Sequence, residues 1–268
     1  MGAYSAPSAP HLHGGPSIAA FHWKKAAALL PLLGVCLFRS GFNALGILTA
    51  SLLGGLAAEA VSKNFLKKKL RLWDGSSVLN SLLFALILPS GVPYWRAAAG
   101  AFFGLFIGRE IFGGLAAAPF QSALAGVAFL EICFPSDFLQ PAVLFGNSGF
   151  AVMAVLAGAF FLFLKKLIVW EVPFFYLASA LIFFLPFEPE VWPALFSPAI
   201  LFSAFFLLTD STAAPVSVFG RRVFAVFSGT ALFFFDKMGV HTPFVYALLT
   251  VNALSPWIDR AVRPKRGA

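Results

Sequence analysis

Charge is scarce in this chain of 268 residues: 11% are Asp, Glu, Lys or Arg, against 60% hydrophobic. A soluble domain carries about a quarter charged residues, so an ordinary soluble fold is excluded and a polytopic membrane protein is expected. Cysteine is equally sparse. Cys36 and Cys133 stand alone and form neither a C-x-x-C nor a metal-ligand spacing. They read as small apolar packers, or, because each falls near the outer end of its expected span, as a disulfide or part of a shared site. No Ser-His-Asp arrangement, phosphate-cradling glycine loop, H-E-x-x-H or paired catalytic carboxylate occurs, which argues against a self-contained hydrolase or kinase. The first residues also lack the charged, apolar, cleavable pattern of a signal peptide and read as a cytoplasmic tail.

What is present is a run of apolar segments. Spans are expected at Ala26 to Phe38, Phe42 to Val61, Ser77 to Leu88, Tyr94 to Phe112, Phe120 to Phe134, Phe150 to Leu164, Val172 to Pro186, Pro193 to Leu208, Val223 to Phe235 and Pro243 to Trp257. The fold class is therefore an all-α polytopic membrane protein of about ten transmembrane helices. With a cytoplasmic N-terminus, nearly all basic residues fall inside and only Arg39, Arg96 and Lys237 outside, so both termini are expected in the cytoplasm. That distribution also accounts for the net charge of +8 without a nucleic-acid partner. The expected organisation is a cytoplasmic tail at 1–25, one membrane domain at 26–258 and a basic tail at 259–268. An odd number of spans per half makes the halves 26–134 and 150–258 an inverted repeat.

Two of the segments are too short. Val78 to Leu88, entered through Asp74-Gly75-Ser76-Ser77 and stopped by Pro89, offers roughly half of the ~20 residues a spanning helix needs. Phe120 to Phe134 follows a break from Gly113 to Pro119. Backbone left unpaired in lipid costs several kcal/mol, so such breaks survive where they line an enclosed cavity. Candidate ligand-holding residues follow: Ser76, Ser77, Asn80, Arg109, Glu110, Gly113, Gly114, Gln121 and Ser122. Several have a plainer reading. Asp74 and Ser76 could cap a helix; Gly113 and Gly114 could form a tight turn or unwind to expose N–H groups; Arg109 and Glu110 could pair with each other. The Asn80 amide must find a partner. Glu131 and Asp210 are ion-path candidates, Glu131 alternatively facing outer water, and Glu59 with Lys63 reads as a structural i,i+4 pair. His11 and His13 make a weak metal site and fit better as part of a docking tail. Of the 34 phenylalanines most are expected to face lipid, with a minority free to wall a flat ring.

The stretch Asp74 to Pro89, then Pro93-Tyr94-Trp95, Gly108-Arg109-Glu110-Ile111-Phe112-Gly113-Gly114, Pro119-Phe120-Gln121-Ser122-Ala123-Leu124 and Ala128-Phe129-Leu130 resembles the NqrB/RnfD family. So do Leu207-Leu208-Thr209-Asp210 with Pro215, Asn252 to Arg260, and Ser8 to His13. The resemblance implies a ten-helix inverted-repeat fold similar to urea transporters. It also implies a membrane subunit of a redox-driven ion pump in the bacterial inner membrane, working beside other integral subunits and possessing a flavin or quinone site. One departure matters. Members commonly esterify flavin mononucleotide to the threonine of a Ser-Gly-Ala-Thr stretch between spans five and six, whereas here Phe145-Gly146-Asn147-Ser148-Gly149-Phe150 lacks the acceptor. Any flavin is thus expected to be non-covalent. The family's Asn-Pro after the double glycine is also altered, to Gln121-Ser122. A small-solute channel and a redox scaffold that docks a separate flavoprotein remain the alternatives.

Overall fold

The computed structural model describes residues 18–65, 74–114, 118–139, 149–187, 191–210, 214–215 and 217–262. His11, His13, the stretch from Phe145 to Ser148, and the tail beyond Val262 lie outside the described residues. Among the described residues every regular element is helical. In chain order these are α1 (Ile18–Ala28), α2 (Leu30–Phe65), α3 (Ser76–Ile87), α4 (Tyr94–Leu105), α5 (Ser122–Cys133), α6 (Gly149–Leu164), α7 (Glu171–Phe184), α8 (Val191–Leu195), α9 (Pro198–Phe202), α10 (Val218–Lys237) and α11 (Pro243–Val262). Two π-helical segments, Phe106–Glu110 and Ser203–Leu207, extend α4 and α9.

Helix begins at Ile18, ahead of the expected Ala26. α2 bends at Gly41 (φ 52°, ψ −130°), and the first two expected spans meet at that one residue. The stretches Ile18–Phe65 and Val218–Lys237 are long and apolar enough to cross a membrane. α3 and α5 are each 12 residues long. At 1.5 Å per residue that is about 18 Å, well short of a hydrocarbon core of ~30 Å. Gly75 starts α3 in the left-handed region (φ 69°), which glycine adopts without a Cβ penalty, and the Trp23 indole of α1 packs against that spot. Leu88 is extended (φ −67°, ψ 144°), as a residue before proline must be, and this ends α3.

The most extensive pairings are α2 with α4 and α7 with α10; α4 packs further on α5, and α10 on α11. The helices approach closely at glycines, the usual route to tight packing between apolar helices. Gly104 of α4 faces the backbone of α5, where an added Cβ would fall 2.5 Å from the Ser122 carbonyl oxygen and 2.7 Å from Gly126 Cα. Because those atoms are backbone, Gly104→Ala must part the two helices. We expect a loss of about 1–3 kcal/mol, read as a lower thermal unfolding temperature in detergent.

Buried aromatic side chains such as Phe84, Tyr176, Phe202 and Phe224 fill the core, and Phe38, Phe42, Phe160 and Phe227 lie exposed on the outside. Cys36 is buried, Cys133 is exposed and both are free, so no disulfide joins them and that alternative is withdrawn.

Candidate functional site

Two charged networks meet at one end of the bundle, where the short helices begin. The first is built on Arg109. Its π-helical segment carries Arg109 and Glu110 into the interior, where they are 3% and 4% exposed. π-bulges cluster at functional positions because the extra residue re-aims side chains. The guanidinium Nε donates to Glu110 Oε1 at 2.9 Å, Nη1 to Ser76 Oγ at 3.0 Å and Nη2 to Ser77 Oγ at 2.8 Å. The Ser77 hydroxyl in turn donates to Glu59 of α2, whose other oxygen pairs with Lys63. A cation at the start of a helix opposes the helix dipole, so the two carboxylates are what make this arrangement tolerable.

The second network joins distant parts of the chain. Lys25 of α1 pairs with Asp210 Oδ1 at 3.5 Å and donates to the Thr209 carbonyl at 3.3 Å, while Gln121, just before α5, donates to Asp210 Oδ2 at 3.4 Å. All three side chains are buried, as is His22 one turn earlier on α1. Close by is a cavity of about 350 Å³, walled by Phe21, Leu167, Val172, Leu208, Thr209 and Arg221. It lies at the lower end of the size range of small-molecule sites, and it is largely apolar with a few polar groups, as such sites usually are.

Several expectations change. Neither Asp74 nor Ser76 caps α3: its N-cap is Gly75 without a side-chain bond, and Ser76 accepts from Arg109. The N–H groups of Gly113 and Gly114 (φ 107° and 105°) donate to the carbonyls of Glu110 and Arg109 at 3.0 and 3.1 Å, closing a turn rather than facing a ligand. Arg109 and Glu110 do pair, but buried rather than at a surface. Asn80 donates to the Ser76 carbonyl at 3.0 Å and leaves its own carbonyl oxygen without a partner among the described residues. Ser122 is buried at the start of α5, against Gly108. Glu131 is not part of this site. It is buried at the other end of α5, where Thr242 donates to it. Sequence reasoning gave His22 no role, counted Lys25 only among the basic residues inside, and gave Glu59 only its neighbour Lys63. The partners of Lys25 and Glu59 are 185 and 18 residues away, and no local spacing encodes them.

The profile of the NQR2, RnfD, RnfE family matches residues 5–149 and 143–267. The chain belongs to that family. Its similarity to individual members of the NQR2, RnfD, RnfE family runs end to end. A D-type subunit of an ion-translocating oxidoreductase complex from Methanosarcina acetivorans is 30% identical, over 99% of this chain and 97% of that protein. The D-type subunit of the Na(+)-translocating ferredoxin:NAD(+) oxidoreductase complex of Acetobacterium woodii is 26% identical, over 96% of this chain and 93% of that protein. A third relative, from Actinobacillus succinogenes, aligns over 342 residues, more than this whole chain, so that family member carries segments absent here.

Proposed function

We propose that this chain is the D-type membrane subunit of a redox-driven ion-translocating oxidoreductase. It crosses the bacterial inner membrane about ten times with both termini cytoplasmic, beside other integral subunits. The observation that carries the reading is the end-to-end similarity to D-type subunits of such complexes. In the first half α2 packs on α4 and α4 on α5, and in the second α7 packs on α10 and α10 on α11; this matching order supports two inverted halves, the arrangement that the family resemblance implies.

The cofactor in this reading is a non-covalent flavin or a quinone, whose chemistry is to accept and release electrons. The 350 Å³ cavity is large enough for a single ring system. Thr209 and Arg221 offer it polar contacts, and Thr209 ties it to the Lys25–Asp210–Gln121 cluster, because its carbonyl accepts from Lys25 and Asp210 follows it in the chain. Ser76, Ser77, Arg109 and Glu110 are not among the residues that wall this cavity; the guanidinium binds the other three together as a buried charged frame. Electron arrival adds negative charge in a medium of low dielectric, which is costly unless a cation follows. Asp210 beside this pocket and Glu131 at the far end are the carboxylates placed to exchange that cation.

The test is an absorption spectrum of the purified complex before and after denaturation. A flavin band that leaves the protein on unfolding, with no fluorescent band for this subunit on a denaturing gel, is the expected result. A chain free of flavin and quinone, and conducting small solutes in liposomes, overturns the reading.

A further inference from the structure

Hydroxyls inside apolar helices satisfy themselves locally, turning back onto a carbonyl three or four residues earlier. Thr49, Ser62, Ser179, Thr209, Ser228 and Thr250 all do so. Ser51 and Ser81 do not. They are 0% and 1% exposed, and neither hydroxyl has a partner among the described residues. A buried polar group without a partner bears its full desolvation penalty, so two such groups in one place call for an explanation.

Ser81 meets α2 at Gly55, and Ser51 lies one turn along from Gly55 on the same face of α2. Ser51, Gly55 and Glu59 recur every four residues on one face of α2, and Ser77 and Ser81 do the same on α3. The Ser77 hydroxyl donates to Glu59; one turn on, the Ser81 hydroxyl occupies the space that a Cβ on Gly55 would need. Ser81 therefore aims at α2 and away from its own carbonyls. From Lys63 to Ser51 the polar stripe runs about 18 Å, more than half the depth of a hydrocarbon core. One end opens on the Arg109 network. Beyond Ser81, the next turn of α3 carries Phe84, which packs into the gap left by Gly100 and Gly126, with Leu130 beside Gly100. Phe84 and Leu130 are each 1% exposed, and Glu131 with Thr242 lies past them.

We infer that the α2–α3 seam is a proton half-path. Water held by the Ser81 and Ser51 hydroxyls is loaded through Glu59 and Ser77 and is separated from Glu131 by the Phe84–Leu130 barrier. This rests on the ion-translocating reading above and narrows the ion to the proton. Glu59 takes a proton from the water at its end of the bundle and passes it on, returning to carboxylate; each hydroxyl accepts one proton and releases its own. Two hydroxyls are too few hard oxygens to replace the shell of a metal cation, but they are enough to hold water in file.

The experiment uses the intact complex in inverted membrane vesicles and records electron transfer and proton movement together, for the wild type, Ser81→Ala, Ser51→Ala and the double variant. The expected result is a severalfold drop in protons moved per electron in each single variant and a larger one in the double. Thermal stability should be unchanged, since removing a hydroxyl that has no protein partner strands nothing. An unchanged ratio in the double variant overturns the half-path. So does loss of the complex on removing either hydroxyl, because that marks it as structural. A wild-type complex that moves sodium and no protons overturns the inference and leaves the proposed function standing. A wild-type complex that moves no ion on reduction overturns both.

Discussion

Arg109→Ala should be the most damaging single substitution in this protein, costing about 3–5 kcal/mol, the range for breaking a buried ion pair by removing one partner. The physical reason is the number of groups stranded at once. Arg109 is 3% exposed and its three donor positions serve Glu110, Ser76 and Ser77, which come from two separate elements. Glu110 loses its guanidinium partner inside the bundle, and Ser77 is left bonded to Glu59 with no cation on its other side. For a chain of this length roughly 2–4 °C of unfolding temperature accompanies each kcal/mol, so a fall of roughly 6–20 °C is expected for the purified protein in detergent. Arg109→Lys should fall between the two: it keeps the charge but replaces a planar fork serving three acceptors by a single ammonium. A wild-type unfolding temperature for Arg109→Ala would mean that the network is solvated and unimportant to the fold.

Asp210→Ala should follow closely, again by about 3–5 kcal/mol, because it leaves the buried Lys25 ammonium without its carboxylate. Gln121 loses an acceptor in the same step. The stronger test is the pair. Replacing both partners by apolar residues, Lys25→Met with Asp210→Leu, removes the charges together and should recover most of the loss, since a buried pair exchanged for packed apolar side chains is often neutral. A double-mutant cycle on unfolding free energies should give a coupling above about 1 kcal/mol, whereas independent sites add to within roughly 0.5 kcal/mol. Additivity would place Lys25 and Asp210 apart in the working protein and would detach α1 from the site.

Much of the architecture is legible in the sequence because the bilayer permits few solutions. Scarce charge and repeated apolar runs require helices. Pro89 and Gly75 bracket α3 within a residue or two of where the sequence alone puts it, and the expected span Phe120 to Phe134 encloses α5, which begins two residues in and ends one residue short. The candidate residues Ser76, Ser77, Arg109, Glu110 and Gln121 stand out as polar groups at apolar depth, and all five are buried at one end of the bundle. Their partners are another matter. Glu59 looks complete beside Lys63, and Lys25 looks like one more basic residue before a span, because an i,i+4 neighbour is visible in a sequence and a contact across 185 residues is not.

The sequence by itself determined that this chain is helical, that the helices now seen as α3 and α5 are too short to cross a bilayer, and which motifs tie it to its family, since composition, proline, glycine and motif order are local properties. Only the tertiary structure decided that the double glycine is a closed turn, that Arg109 is held by a frame of serines and carboxylates, that Lys25 and Asp210 join the first helix to the second half, and that the Ser81 hydroxyl meets α2 at Gly55. Each of these depends on which helix faces are brought together and on π-helical offsets that rotate a side chain inward, and a linear pattern carries no record of either.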